Sequence, residues 1–99
     1  MKVMETNVRV FKYDGEFNFC ITQDHLDGIK ATEKEVAQCK RNGMDQFFKL
    51  YDDDDELYYS GYYNEDAVDD EFEVLDWAMN DSGCTRMDIR GKSGKMETL

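Results

Sequence analysis

Residues 7–22 read NVRVFKY, DG, EFNFCIT: two runs of β-branched and aromatic residues on either side of Asp14-Gly15. A tight turn between antiparallel strands requires positive φ, which glycine adopts without steric cost, so this stretch predicts a β-hairpin. Alternation places Val8 and Val10, with Lys12, on one side of the first strand and Arg9, Phe11 and Tyr13 on the other. Phe17, Phe19 and Ile21 share a face of the return strand.

The next segment, TQDHLDG, reads as a turn with at most a helical fragment. ATEKEVAQCKRNG then carries the marks of a helix. Thr32 and Glu35 have capping-box spacing, Lys40 and Arg41 suit the negative end of the helix dipole, and Asn42-Gly43 suits a left-handed stop. Its apolar stripe is short: Ile29, Val36 and Cys39, with Ala37 beside it. A second hairpin is expected from Phe47–Tyr51 and Leu57–Tyr63, with its turn inside the aspartate run. Val68, Phe72, Leu75 and Met79 recur at helical spacing and predict a second helix that ends at Gly83. CTRMDIR predicts a last strand with Met87 and Ile89 on one face and Cys84, Arg86, Asp88 and Arg90 on the other. Residues 91–99 are expected to form a flexible tail. The order ββ-α-ββ-α-β implies an α+β fold: one domain over residues 1–99, with a mostly antiparallel sheet of about five strands and one or two helices covering one face.

With 99 residues the chain suits a single core, and its hydrophobic share of 40% is too high for a disordered chain. No apolar run is long enough to span a bilayer, and MKVMETNVRV lacks the apolar core of a signal peptide, so a cytoplasmic protein with no membrane partner is expected. Cys20, Cys39 and Cys84 are odd in number and show no C-x-x-C spacing. Buried thiols in a reducing compartment are therefore expected rather than a disulfide framework or a zinc site.

Charge is distributed unevenly. Of 23 Asp and Glu residues, thirteen lie between Lys49 and Arg86, a stretch with no Lys or Arg; the rest of the chain holds ten acids and all twelve Lys and Arg. Crowded carboxylates separated by about 6.5 Å repel by roughly 0.6 kcal/mol per pair in water, so a dozen of them weigh noticeably against a typical domain stability of about 5–15 kcal/mol. The pattern points to a partner that is itself basic. Carboxylates spaced like the phosphates of one nucleic-acid strand can occupy a nucleic-acid-binding site and release its counterions. The candidate partner-binding residues are Asp52, Asp53, Asp54, Asp55, Glu56, Glu65, Asp66, Asp69, Asp70, Glu73 and Asp76, with Tyr58, Tyr59, Tyr62 and Tyr63 as flat anchors able to stack under guanidinium groups. The plain alternative is a solvated turn and an acidic helix face, and strand alternation sends two of the four tyrosines into the core.

Other chemistries find no support in the sequence. Read as an EF-hand loop from Asp52, the segment has Leu57 in place of the glycine and Tyr63 in place of the bidentate glutamate, so no metal is expected. There is no nucleophile elbow, phosphate-binding glycine loop or HExxH, and His25 lies in a polar turn; an enzyme is not expected, nor is a cofactor. Direct nucleic-acid binding is disfavoured because the cations are scattered and the net charge of −11 repels phosphate.

The segments FFKLYDDDDELYYSGYY and FEVLDWAMNDSGCTRMDIR, within Phe47 to Arg90, resemble small uncharacterised acidic proteins of bacteria and their mobile elements. In these a strand ends in an acidic turn, an aromatic strand follows, and a Leu-Asp segment leads through Gly and Cys to a closing strand. This chain has Asp55 where a turn glycine is more typical. The resemblance transfers no activity and no site. In size, acidity and aromatic content the chain is more loosely similar to phage and plasmid anti-defence proteins, including anti-CRISPR and anti-restriction proteins that mimic DNA. The implied function is a non-enzymatic inhibitor acting in the host cytoplasm on a basic nucleic-acid-binding enzyme or effector complex. The alternative is an accessory protein–protein interaction module that uses an aromatic face or sheet edge, its acidity serving solubility.

Overall fold

Asp14 and Gly15 both take positive φ, 52° and 82°, and close β1 (Arg9–Tyr13) onto β2 (Glu16–Asp24) as the DG pair predicts. This computed structural model describes residues 8–68 and 72–99. Downstream, Thr32 caps α1 (Glu33–Arg41). Its hydroxyl accepts from the Glu35 amide at 3.2 Å, and the Glu35 carboxylate accepts from the Thr32 amide at 2.9 Å, so the predicted capping box is formed. β4 (Gln46–Tyr51) and β5 (Leu57–Tyr63) make the second hairpin. α2 (Phe72–Ser82) and β6 (Arg86–Arg90) follow.

The fold is α+β, with an antiparallel sheet of seven strands rather than five, in the order β1-β2-β5-β4-β6-β7. The two strands not anticipated are short. β3 (Ile29–Lys30) folds back on the end of β2, where only a turn was expected. β7 (Met96–Thr98) pairs with β6, inside the stretch where only a tail was expected. Gly94, at φ 84°, lets the chain reverse, and the Leu99 amide bonds to the Met87 carbonyl at 3.0 Å. Three residues of ladder are too few to leave a recognisable alternation.

The helices lie on opposite faces of the sheet, not on one. The first crossover leaves β2 and reaches β4 beyond β5; the second leaves β5 and reaches β6 beyond β4. Both step the same way across the sheet, but from strands running in opposite senses, so crossovers of one common hand require opposite faces. Under α2 lies the main core: Phe19, Ile21, Phe48, Leu50, Tyr59, Tyr63 and Met87 from the sheet, with Val74, Leu75 and Ala78 from the helix and Cys84 beyond it. Under α1 lies a smaller cluster of Cys20, Cys39 and Met44, bordered by Val8, Phe17 and Tyr62.

Phe17 lies with this second cluster because a bulge at the β1–β2 register shift, Phe11 facing Phe19 but Lys12 facing Phe17, inserts one residue and reverses the alternation. The stripe expected on α2 is also corrected. Val68 and Leu75 are buried, but Phe72 and Met79 are 43% and 51% exposed, and Val74, Ala78 and half-buried Trp77 take their place. The buried set is thus rotated toward the Trp77 side, where the indole ring packs against Phe11 and Phe19.

Candidate functional site

In the aspartate run the first acid builds the turn and the others are presented by it. Asp52 Oδ1 accepts the amides of Asp54 and Glu56, each at 2.9 Å, and the Asp52 amide bonds to the Glu56 carbonyl at 3.1 Å. The Glu56 amide, then that of Asp54, holds the Asp52 carboxyl below the ordinary carboxylate range, and the Tyr58 phenol it bonds is pushed up in turn. Asp55 takes φ 61°, the left-handed conformation that a turn glycine would adopt and aspartate tolerates. Its carboxylate is ion-paired with the Arg86 guanidinium. Asp53, Asp54 and Glu56 remain exposed, and none of them is in an ion pair among the described residues.

β5 divides its tyrosines. Tyr59 and Tyr63 are buried at 5% and 3% exposure, so they belong to the core and cannot serve as contact residues. Tyr59 donates to Asp81 Oδ2 at 3.0 Å, and burial raises its phenol. Tyr58 and Tyr62 are half-buried. Tyr58 lies beside the acidic turn, whereas Tyr62 is on the α1 face with the Lys40 ammonium 5.1 Å from its ring centre.

Glu65 and Asp66 are exposed in the turn after β5, where Asn64 Oδ1 accepts the Asp66 amide at 2.9 Å. This turn is at the opposite end of β5 from the aspartates, about 20 Å away for a seven-residue strand. α2 spans the gap. Its C-terminal end is tied to the aspartate end by the Thr85 amide, which bonds to the Tyr51 carbonyl at 2.9 Å. Along α2, Asp76 is exposed, Asp81 is near Tyr59, and Glu73 is half-buried and accepts from Asn18 at 3.2 Å. Asp53, Asp54 and Glu56 are thus exposed at one end of β5, Glu65 and Asp66 at its other end and Asp76 on α2, so the acids are spread over the molecule and not confined to one side of the sheet. The turn reaches Arg86 through Asp55, and Glu65 borders a cavity with Arg90. Asp52 and Asp55 serve the turn itself, and Asp69 and Asp70 lie outside the described residues. Sequence reasoning did not single out Asp81, which bonds the Tyr59 hydroxyl; its membership of the acidic stretch on α2 was the available signal.

Cys20, Cys39 and Cys84 are all free and buried. Cys20 and Cys39 face each other between β2 and α1, where their mutual hydrogen bond and burial push the Cys20 thiol up. Among the described residues no group of three His, Cys, Asp or Glu side chains converges to hold a metal ion. His25 Nε2 is 2.8 Å from the buried Ser60 hydroxyl; desolvation, and then Lys49, lowers its pKa. No helix among the described residues is long and apolar enough to cross a membrane. No protein-family model matches the chain, and comparisons with curated proteins and with solved structures return no match.

Proposed function

We propose that the protein is a non-enzymatic acidic inhibitor that occupies the basic nucleic-acid-binding surface of another protein, in the manner of a phage- or mobile-element anti-defence protein acting in the host cytoplasm as a nucleic-acid mimic. The observation that supports this reading is the set of exposed carboxylates, Asp53, Asp54 and Glu56 at one end of β5, Glu65 and Asp66 at the other and Asp76 on α2, none in an ion pair among the described residues. Such an array carries a standing repulsion that a cationic partner would relieve. Half-buried Tyr58, next to the aspartate turn, supplies a ring at its edge.

The test is capture of partners from a bacterial lysate by the tagged protein, followed by competition. A basic nucleic-acid-binding protein should be retained at low salt, released as salt rises, and displaced by duplex DNA. The D53K/D54K/D76K variant, altered only at exposed positions whose side chains make no hydrogen bond or ion pair among the described residues, should lose it while keeping its fold. A partner indifferent to salt, to duplex DNA and to the triple reversal would reject mimicry. That result would favour the second reading, an apolar docking module, for which exposed Phe72 and Met79 on one flank of α2 offer a surface.

A further inference from the structure

The sheet face opposite α2 is only partly covered. α1 packs over β2, and its Lys40 reaches Tyr62, but the side chains of β4 and β6 beyond it meet mainly one another. Strand register orders them into rows. Tyr62 is opposite Phe47, Ser60 is opposite Lys49, which is in turn opposite Asp88, and Tyr51 is opposite Arg86. Rows on one face of a strand are spaced by about 6.8 Å.

Rings and cations alternate on this surface. The Arg90 guanidinium is 4.8 Å from the centre of the Phe47 ring, with the Tyr62 ring 5.3 Å from Phe47 on the other side. Arg86 stacks on Tyr51 at 4.0 Å, and Lys49 lies on β4 midway between the two ring stations. Arg86 is balanced by Asp55 and approaches Asp88 at 3.4 Å, but Lys49 and Arg90 are in no ion pair among the described residues. In a chain of net charge −11, cations left unpaired beside flat rings are not accounted for by folding alone.

We propose that this face binds single-stranded nucleic acid, with bases stacking at Phe47 and Tyr62 and at Tyr51, and phosphates held by Lys49 and Arg90, Arg86 being already engaged by Asp55. Rows of about 6.8 Å are commensurate with successive nucleotides of an extended strand, and a guanidinium lying on a ring offers its own plane to a base and its edge to a phosphate. An acidic peptide would satisfy the cations but leave the rings without flat partners. Paired bases cannot reach a flat ring array, which sets a single strand apart from a duplex. The site lies on the face away from α2, bordered at its two ends by acids, Asp55 at Arg86 and Glu65 near Arg90.

The experiment is fluorescence anisotropy of the purified protein with a labelled twelve-nucleotide single strand, its duplex, and polyglutamate, across a salt series. Saturable binding of the single strand is expected, with log K falling against log salt with a slope of about −1.4 for two phosphate contacts. K49E/R90E should weaken it at least about tenfold, and Y62L, which keeps apolar volume but removes the ring, by several-fold. D53K/D54K/D76K, at acids outside this site, should not weaken it. Circular dichroism and urea titration confirm that each variant is folded. The proposal is overturned if the wild type shows no saturable binding to the single strand, if duplex or polyglutamate binds as tightly, or if folded K49E/R90E binds like the wild type.

Discussion

The two faces of the sheet are built from the same strands and differ in almost everything else. In β4, Phe48 and Leu50 point under α2 and are fully buried, while Phe47, Lys49 and Tyr51 point the other way and are half-buried. Under α2 the rings pack against one another: Phe11 on Phe19 at 4.4 Å, and Phe19 on Trp77 at 5.4 Å. On the open face one ring pair, Phe47 and Tyr62, is flanked by Arg90 and Lys40, and Tyr51 carries Arg86. On the α2 face a single cation among the described residues, Arg9, lies over Tyr59 and Trp77. The difference teaches that an aromatic residue in this chain is not by itself a core residue or a contact residue; the helix above it decides.

Adjacent phenylalanines give the largest test of that contrast. Phe48→Ala should cost about 3–5 kcal/mol as a cavity opens beneath α2, whereas Phe47→Ala should cost about 1 kcal/mol. Equal losses in urea titrations would erase the distinction between the faces. A smaller effect is expected where the faces share a seam. A Cβ on Gly61 would stand 2.0 Å from the Cys20 carbonyl oxygen and 2.9 Å from the Phe48 ring, so Gly61→Ala should destabilise by about 2–3 kcal/mol, with Gly61→Val worse. A neutral outcome would mean that β2 and β5 do not approach so closely.

The smallest effect concerns pH and the row containing Ser60 and Lys49. Because the pKa of His25 is lowered in the folded chain, protonation favours the unfolded state. Its contribution is complete above the unfolded value of 6.5 and is lost as pH falls through the folded value. Urea midpoints of the wild type should therefore decline between about pH 7 and pH 5. His25→Gln should remove that part of the decline, and an unchanged slope would show that the imidazole is as well solvated folded as unfolded.

Much of the architecture was legible in the sequence because it depends on neighbours along the chain. The Asp14-Gly15 turn, the Thr32–Glu35 capping box and the second hairpin around the aspartates are local arrangements, and each formed as read. What failed depended on contacts between distant segments. The bulge that moves Phe17 to the other face arises from pairing with β1, and the exposure of Phe72 and Met79 follows from how α2 seats against Trp77's neighbours. The candidate surface divided along the same line. Sequence located the acids, but only the turn geometry separated Asp53 and Asp54 from Asp52, and only the position of β6 gave Asp55 its Arg86.

By itself the sequence determined the strand and helix order, the turn chemistry and the segregation of charge, because propensity, capping and composition act over a few residues. Tertiary structure alone decided which tyrosines are buried, which acids remain unpaired, and that cations and rings assemble on an open face. Those properties depend on which side of the sheet each crossover takes, and that side is set by the direction of strands brought together from far apart in the chain.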